Sequence, residues 1–168
     1  MGLTRGTSDV QIGDISEDGD VATEWTTIGK IYADSTAQLL DGDDTTKDFN
    51  SIQDDQPVDR DVTPGPTNIT LSLMDLTAAN LQLFFGGTVT GTTEANKVWT
   101  APRQKPVIYK SLKIIPKKGK IITIVKAQIS AKKNFNLQKD GLFLGDLNIA
   151  VLTPDKPEIG PYTIGPEV

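Results

Sequence analysis

Val107-Ile-Tyr-Lys-Ser-Leu-Lys-Ile-Ile115 and Ile121-Ile-Thr-Ile-Val-Lys-Ala-Gln-Ile-Ser-Ala131 flank the pentapeptide Pro116-Lys-Lys-Gly-Lys120. Both arms are rich in β-branched residues, and a Gly between two polar, apolar-poor positions is the usual chemistry of a tight turn. The stretch therefore predicts a long β-hairpin with its turn at Gly119. In the second arm Ile121, Thr123, Val125, Ala127 and Ile129 are predicted to share one face, with Lys126, Gln128 and Ser130 on the other.

Outward from this hairpin, Asp146 to Leu152 alternates again, with Leu147, Ile149 and Val151 expected inward. Asn68 to Leu73 does the same with Ile69, Leu71 and Leu73. Between these, Asp75 is expected to cap a helix over residues 76–85 that Gly86-Gly87 stops. A short strand is expected near Lys97–Thr100. Upstream, Trp25, Thr26, Thr27, Ile28, Ile31 and Tyr32 predict a strand within Val21–Ala33, bulged near Gly29. Residues 1–20 read as a Gly- and Asp-rich arm in which Val10, Ile12 and Ile15 allow one short strand. The tail from Thr153 carries prolines at 154, 157, 161 and 166 and is expected to be extended.

Asp34 to Pro66 is an acidic loop with too few apolar residues to anchor itself to a core. Two short strands are expected there, near Thr45–Ser51 and Gln56–Val62. A loop this long inside a compact domain is usually functional or disordered, and ordering against a neighbouring subunit is a third option. Here the expectation is packing across a subunit boundary. The organisation is thus an arm (1–20), one β domain (21–152, with the loop at 34–66) and a Pro-rich extension (153–168). The fold class is mainly β, a single-domain barrel or sandwich with one short flanking helix and long inter-subunit loops.

Composition narrows function further. The 168 residues contain neither Cys nor His, which removes thiolate nucleophiles, Ser-His-Asp triads and every zinc site built on those ligands. Carboxylate, lysine or tyrosine chemistry survives, without a positive signal. No apolar run approaches the ~18 residues that would span a bilayer, and Met1–Arg5 lacks the apolar segment of a signal peptide. The expectation is a soluble, unexported, non-enzymatic chain with no cofactor and no membrane partner.

Net charge is −5, but its distribution says more. Through residue 100 there are seventeen acids and five bases; from Ala101 onward there are five acids and twelve bases. Complementary surfaces on one subunit favour head-to-tail assembly, whereas intermixing of the two signs on folding removes the asymmetry. The inter-subunit candidates are Asp41, Asp43 and Asp44 on the acidic side, and Lys113, Lys117, Lys118 and Lys120 on the basic side.

Other motifs fall short. Asp14-Ile-Ser-Glu-Asp-Gly-Asp20 imitates a calcium loop, but Trp25 stands where the bidentate Glu belongs, so an Asp/Gly turn is expected. Asp41-Gly42-Asp43-Asp44 reads as a turn with Gly42 at positive φ, or as clustered carboxylates for a hard cation. Gly29-Lys30 and Gly119-Lys120 lack the earlier Gly of a phosphate loop. The lysines of the hairpin suggest nucleic acid, but only Tyr109 offers a stacking surface beside them. Asn68-Ile69-Thr70 has the glycosylation pattern without a secretory signal.

The order of parts carries a resemblance. Asn68-Ile-Thr-Leu-Ser-Leu-Met-Asp-Leu-Thr-Ala-Ala-Asn-Leu-Gln-Leu-Phe-Phe-Gly-Gly-Thr-Val89, and Thr23-Glu-Trp-Thr-Thr-Ile-Gly29 feeding Asp41-Gly42-Asp43, resemble the tail tube proteins of long-tailed bacteriophages and the tubes of contractile injection machines. The likeness covers residues 20–152. It implies a virion protein of six copies per ring, assembled in the host cytoplasm, with rings stacked into a hollow tube that DNA traverses. Its implied partners are itself and other tail proteins such as terminators, tape measure and baseplate; DNA passes transiently and without sequence preference. An acidic lumen would let phosphates slide, and the candidates to line it are Asp48, Asp54, Asp55, Asp59 and Asp61. The alternative is a small carbohydrate- or calcium-binding β-sandwich module.

Overall fold

The structure, a computed structural model, describes residues 2–34 and 37–168. In chain order its strands are β1 (Arg5–Gly13), β2 (Thr26–Thr27), β3 (Gln38–Asp41), β4 (Thr45–Phe49), β5 (Asp59–Thr63) and β6 (Thr67–Leu73). Helix α1 (Ala78–Phe85) follows, then β7 (Thr88–Thr90), β8 (Val98–Thr100), β9 (Ile108–Lys118), β10 (Lys120–Phe135), β11 (Phe143–Leu152) and β12 (Tyr162–Glu167). The main sheet runs β2-β1-β9-β10-β11-β6-β3 in antiparallel pairs, and β12 also pairs with β10. β4–β5 and β7–β8 form separate two-stranded ladders.

The chain is mainly β with one short helix, as its alternation predicts. The sheet does not close into a barrel. Instead its two edges are joined by the backbone after β2: Ile28 N–H donates to the Val10 carbonyl at 3.0 Å, and Tyr32 N–H to the Ser72 carbonyl at 2.8 Å. One apolar face curls around a single core that includes Val10 and Ile12 of β1, Leu112 of β9, Ile129 of β10, Ile149 of β11 and Leu71 of β6. None of the described helices is long and apolar enough to cross a membrane.

Helix α1 closes one side of this core. Phe84 and Phe85 are buried in it, and the Trp99 ring meets Phe85 edge-on with centroids 6.2 Å apart. Trp99 Nε1–H donates to the Gly86 carbonyl at 2.8 Å, which satisfies one of the carbonyls a helix end leaves open. Gly86 and Gly87 both take positive φ. The N-cap is Thr77, whose hydroxyl accepts the Asn80 backbone N–H at 3.3 Å, and not Asp75. Asp75 lies before the cap, and its backbone carbonyl accepts from Asn80 Nδ2 at 2.8 Å.

The central hairpin is present, but its second arm changes face midway. Ile122 and Ile124 pack on the core, followed by Ala127, Ile129 and Ala131. The switch comes from a bulge. Leu112 pairs with Ile124 while Lys110 pairs with Ala127, so Val125 and Lys126 together oppose Ser111. The predicted single face therefore holds at Ala127 and Ile129 and fails at Ile121 and Thr123 before the bulge, while Val125, within the bulge, is buried.

Three further expectations change in extent. Residues 1–20 are not merely an arm: β1 is a nine-residue strand of the main sheet, paired along β9. The Val21–Ala33 strand shrinks to Thr26–Thr27, plus one bridge between Ile31 and Leu73, because this segment crosses between edges. In the Pro-rich tail, β12 pairs with the first third of β10, from Lys120↔Glu167 to Ile124↔Tyr162.

Candidate assembly surfaces

Within 34–66 the chain forms β3 on the sheet edge and then the β4–β5 hairpin beyond it, close to the two strands expected from sequence. Gly42 N–H donates to the Pro66 carbonyl at 2.8 Å, and Gly65 N–H to the Asp44 carboxylate at 3.1 Å. Gly42 is not at positive φ; the segment is the base of the hairpin and not a turn. A side chain on Gly65 would collide with the Gly42 backbone, which explains the Gly there. All ten strand residues of β4 and β5 are exposed, as are Ile52 and Val58 between them. The hairpin has no core of its own. Ser35 and Thr36 of this loop lie outside the described residues.

The five acids proposed for a lumen all fall on this hairpin, yet on different faces. The register Asp48↔Arg60, Lys47↔Asp61 and Phe49↔Asp59 puts Asp48 on one face and Asp59 and Asp61 on the other. Asp54 and Asp55 lie in the connection between the strands. Asp48 is bound twice by the Arg60 guanidinium, with Nη2 at 3.0 Å. The Arg60 hydrogen bond lowers the Asp48 pKa, and the same bond raises that of Arg60. Lys47 Nζ rests 5.1 Å from the centroid of Phe49.

The inter-subunit candidates are brought together only in part. Asp41 accepts the Thr67 hydroxyl at 2.6 Å and Asp44 the Gly65 amide, so both brace the hairpin base, with Asp43 between them. Lys113 is committed within the chain, its Nζ 4.2 Å from the Trp25 ring centroid. Lys117, Lys118 and Lys120 surround the Gly119 turn, where Arg5 pairs across from Lys118. Following the registers from β10 through β11 to β6 places this turn and Asp41–Asp44 toward the same end of the sheet. The acidic and basic halves of the sequence do not become opposite poles.

The calcium-like segment resolves differently again. Lys156 Nζ sits between Asp18 (2.9 Å) and Asp20 (2.7 Å), and Lys110 pairs with Asp14. The Lys156 hydrogen bonds lower the pKa of both carboxylates, and their hydrogen bonds, Asp20 first, raise that of Lys156. An ammonium from the tail stands where a cation would have to sit. Among the described residues no three acids converge on a common centre.

On the outward face of β6, β10 and β11 an open concavity is lined by Lys132, Asn134, Asp146 and Leu144, among others. Asp146 accepts from the Ser72 hydroxyl at 2.6 Å and from Asn134 Nδ2 at 3.0 Å, which uses both of its oxygens. Sequence reasoning did not single out the end of the β10–β11 hairpin. There Phe135 and Phe143 stack and Leu137 and Leu142 are uncovered. The signal available was Phe135-Asn136-Leu137 followed by Leu142-Phe143, two apolar clusters around a polar turn.

No protein-family model matches the chain, and no curated protein matches it.

Proposed function

We propose that this chain is a non-enzymatic structural subunit, six copies of which close into a ring that stacks into a hollow tube of the phage tail-tube type. The observation that carries the reading is the β4–β5 hairpin, exposed along both strands, with Phe49, Ile52, Val58 and Val62 uncovered. An isolated two-stranded ladder is at best marginally stable in water, so a hairpin exposed on both faces calls for a partner. A neighbouring copy would bury it. The layout of alternating strand, short helix and long hairpin agrees with the resemblance drawn from sequence. On this reading the chain belongs to the virion, meets other tail proteins at the tube ends, and lets DNA pass without gripping it.

The calcium-binding alternative is weakened by Lys156, which holds the carboxylates a metal would require. Sedimentation velocity over a wide range of concentration, with negative-stain microscopy of the concentrated protein, tests the proposal. Rings or tubes are expected. A strictly monomeric profile at every concentration and salt would overturn it.

A further inference from the structure

Two uncovered apolar features lie at opposite ends of the main sheet. β6 begins at Thr67, across from Asp41, and ends at Leu73, across from Gly145. The β4–β5 hairpin leaves from the first end. The β10–β11 turn, residues 136–142, lies past the second, beyond the terminal pair Phe135↔Phe143. Seven strand residues span roughly 23 Å, so neither feature covers the other within one chain.

The β10–β11 end is built as a platform. The Phe135 and Phe143 rings stack with centroids 4.7 Å apart and planes 12° from parallel. Leu137 is 82% exposed beyond them, and Leu142 is also uncovered. From Lys132 to Phe143 the charges are three lysines and Asp140. The β4–β5 hairpin offers the complement: Ile52 at its end is 100% exposed, and Asp43 to Thr63 holds seven acids against two bases. Two apolar surfaces at opposite ends of one subunit, one beside the acids of the hairpin connection and the other beside Lys139, fit a heterologous contact, which repeats head to tail.

We propose that the β4–β5 hairpin of one copy docks on the β10–β11 end of a second copy, with Ile52 against Leu137 and the Phe135–Phe143 stack. Asp54 and Asp55, beside Ile52 in the connection between the strands, lie toward Lys139 in the β10–β11 turn of that copy. Apolar burial supplies the affinity, and the charges set orientation and encounter rate. This deepens the assembly reading and rests on it, since both require copies to associate.

The absence of native cysteine gives a direct test. Ile52→Cys and Leu137→Cys variants are purified separately, mixed under assembling conditions, oxidised and run on a non-reducing gel. A disulfide requires Cα atoms within about 7 Å, so a mixed I52C–L137C dimer is expected as the main product. Each variant alone, and I52C mixed with V107C at an exposed site away from both ends, should give only traces. Assemblies visible by microscopy without a mixed dimer above the V107C control would overturn the docking and leave the tube reading standing. A mixed dimer without rings or tubes would keep the docking and overturn the tube. A monomer that forms no mixed dimer overturns both.

Discussion

The Ser111 hydroxyl donates to the Val125 carbonyl at 2.7 Å, directly across the bulge that turns β10 over. The same oxygen accepts the Ala22 backbone N–H at 3.0 Å, so one fully buried side chain satisfies two backbone groups. A bulge leaves its extra residue without a regular ladder partner, and buried backbone groups rarely go unpaired. Ser111→Ala should therefore lower unfolding free energy by about 1–3 kcal/mol. A urea titration that places the variant within about 0.5 kcal/mol of the parent would show that water or a shifted backbone replaces the hydroxyl.

The turn at Gly119 is the second structural point open to measurement. Its φ is 113°, and a side chain there would run into Thr4. Gly119→Ala should cost more than about 1 kcal/mol, since both the backbone conformation and the neighbouring chain oppose it. Thermal melts of the two proteins in parallel would detect it; an unchanged melting temperature would mean the turn relaxes freely.

Acid should loosen the tail before it unfolds the sheet. Asp18 and Asp20 have folded pKa values below their ordinary 3.8, held down chiefly by the Lys156 hydrogen bond. Their contribution is present above the unfolded value and is lost as pH falls through the lowered one, in a window below about pH 4. Lys156 works in the opposite sense: its pKa is raised above 10.5, so its contribution is complete below that value and disappears as pH rises through the raised one. Hydrogen exchange of residues 153–161, corrected for its intrinsic pH dependence, should be flat across neutral pH and quicken at both extremes. In Lys156→Met it should already be fast at neutral pH, which is the comparison that decides the point.

A charge-reversal series would separate the acids of the β4–β5 hairpin. Asp48 is neutralised by Arg60, whereas Asp59 and Asp61 share the other face. If that face lines a tube lumen, the double variant Asp59→Lys, Asp61→Lys should leave tubes intact yet slow DNA ejection, while Asp48→Lys should act mainly by breaking its pair with Arg60. Exposed charges interact weakly across water and are screened within ~10 Å at ordinary salt, so repetition along the tube carries the effect. Normal ejection by the double variant would move these acids to the outside.

Much of the sheet was legible because the decisive signal is a period of two. Ile69, Leu71 and Leu73, and Leu147 and Ile149, point inward as their alternation requires. The bulge was not legible because Ile121-Ile-Thr-Ile-Val125 is β-branched at every position, and both phases of alternation fit it equally. β1 was obscured because its first four residues are exposed and only Val10 and Ile12 reach the core. β12 was hidden by prolines, yet it pairs with a single neighbour, and Pro is tolerated on such edge strands. For the assembly surfaces the acids could be found but not their faces, since Asp48 and Asp61 separate only once the register with Arg60 and Lys47 is known. The pairing of Lys156 with Asp18 and Asp20 joins residues far apart in sequence, and nothing local announces it.

The sixteen-residue β10 lies between β9 on one side and both β11 and β12 on the other, while β1 waits for β9 roughly a hundred residues downstream. A chain emerging from the ribosome thus holds β1 and β6 without their long-range partners until most of the sequence is made. Folding dominated by such distant pairings is slow, and half-built sheets expose edges that join other chains. For a subunit whose finished form is read as self-associating, timing becomes a design constraint: premature pairing between nascent copies would compete with the native sheet. Exposed charge on the early hairpin, five acids along Asp48–Asp61 set against Lys47 and Arg60, would keep unfinished copies apart while the late strands arrive.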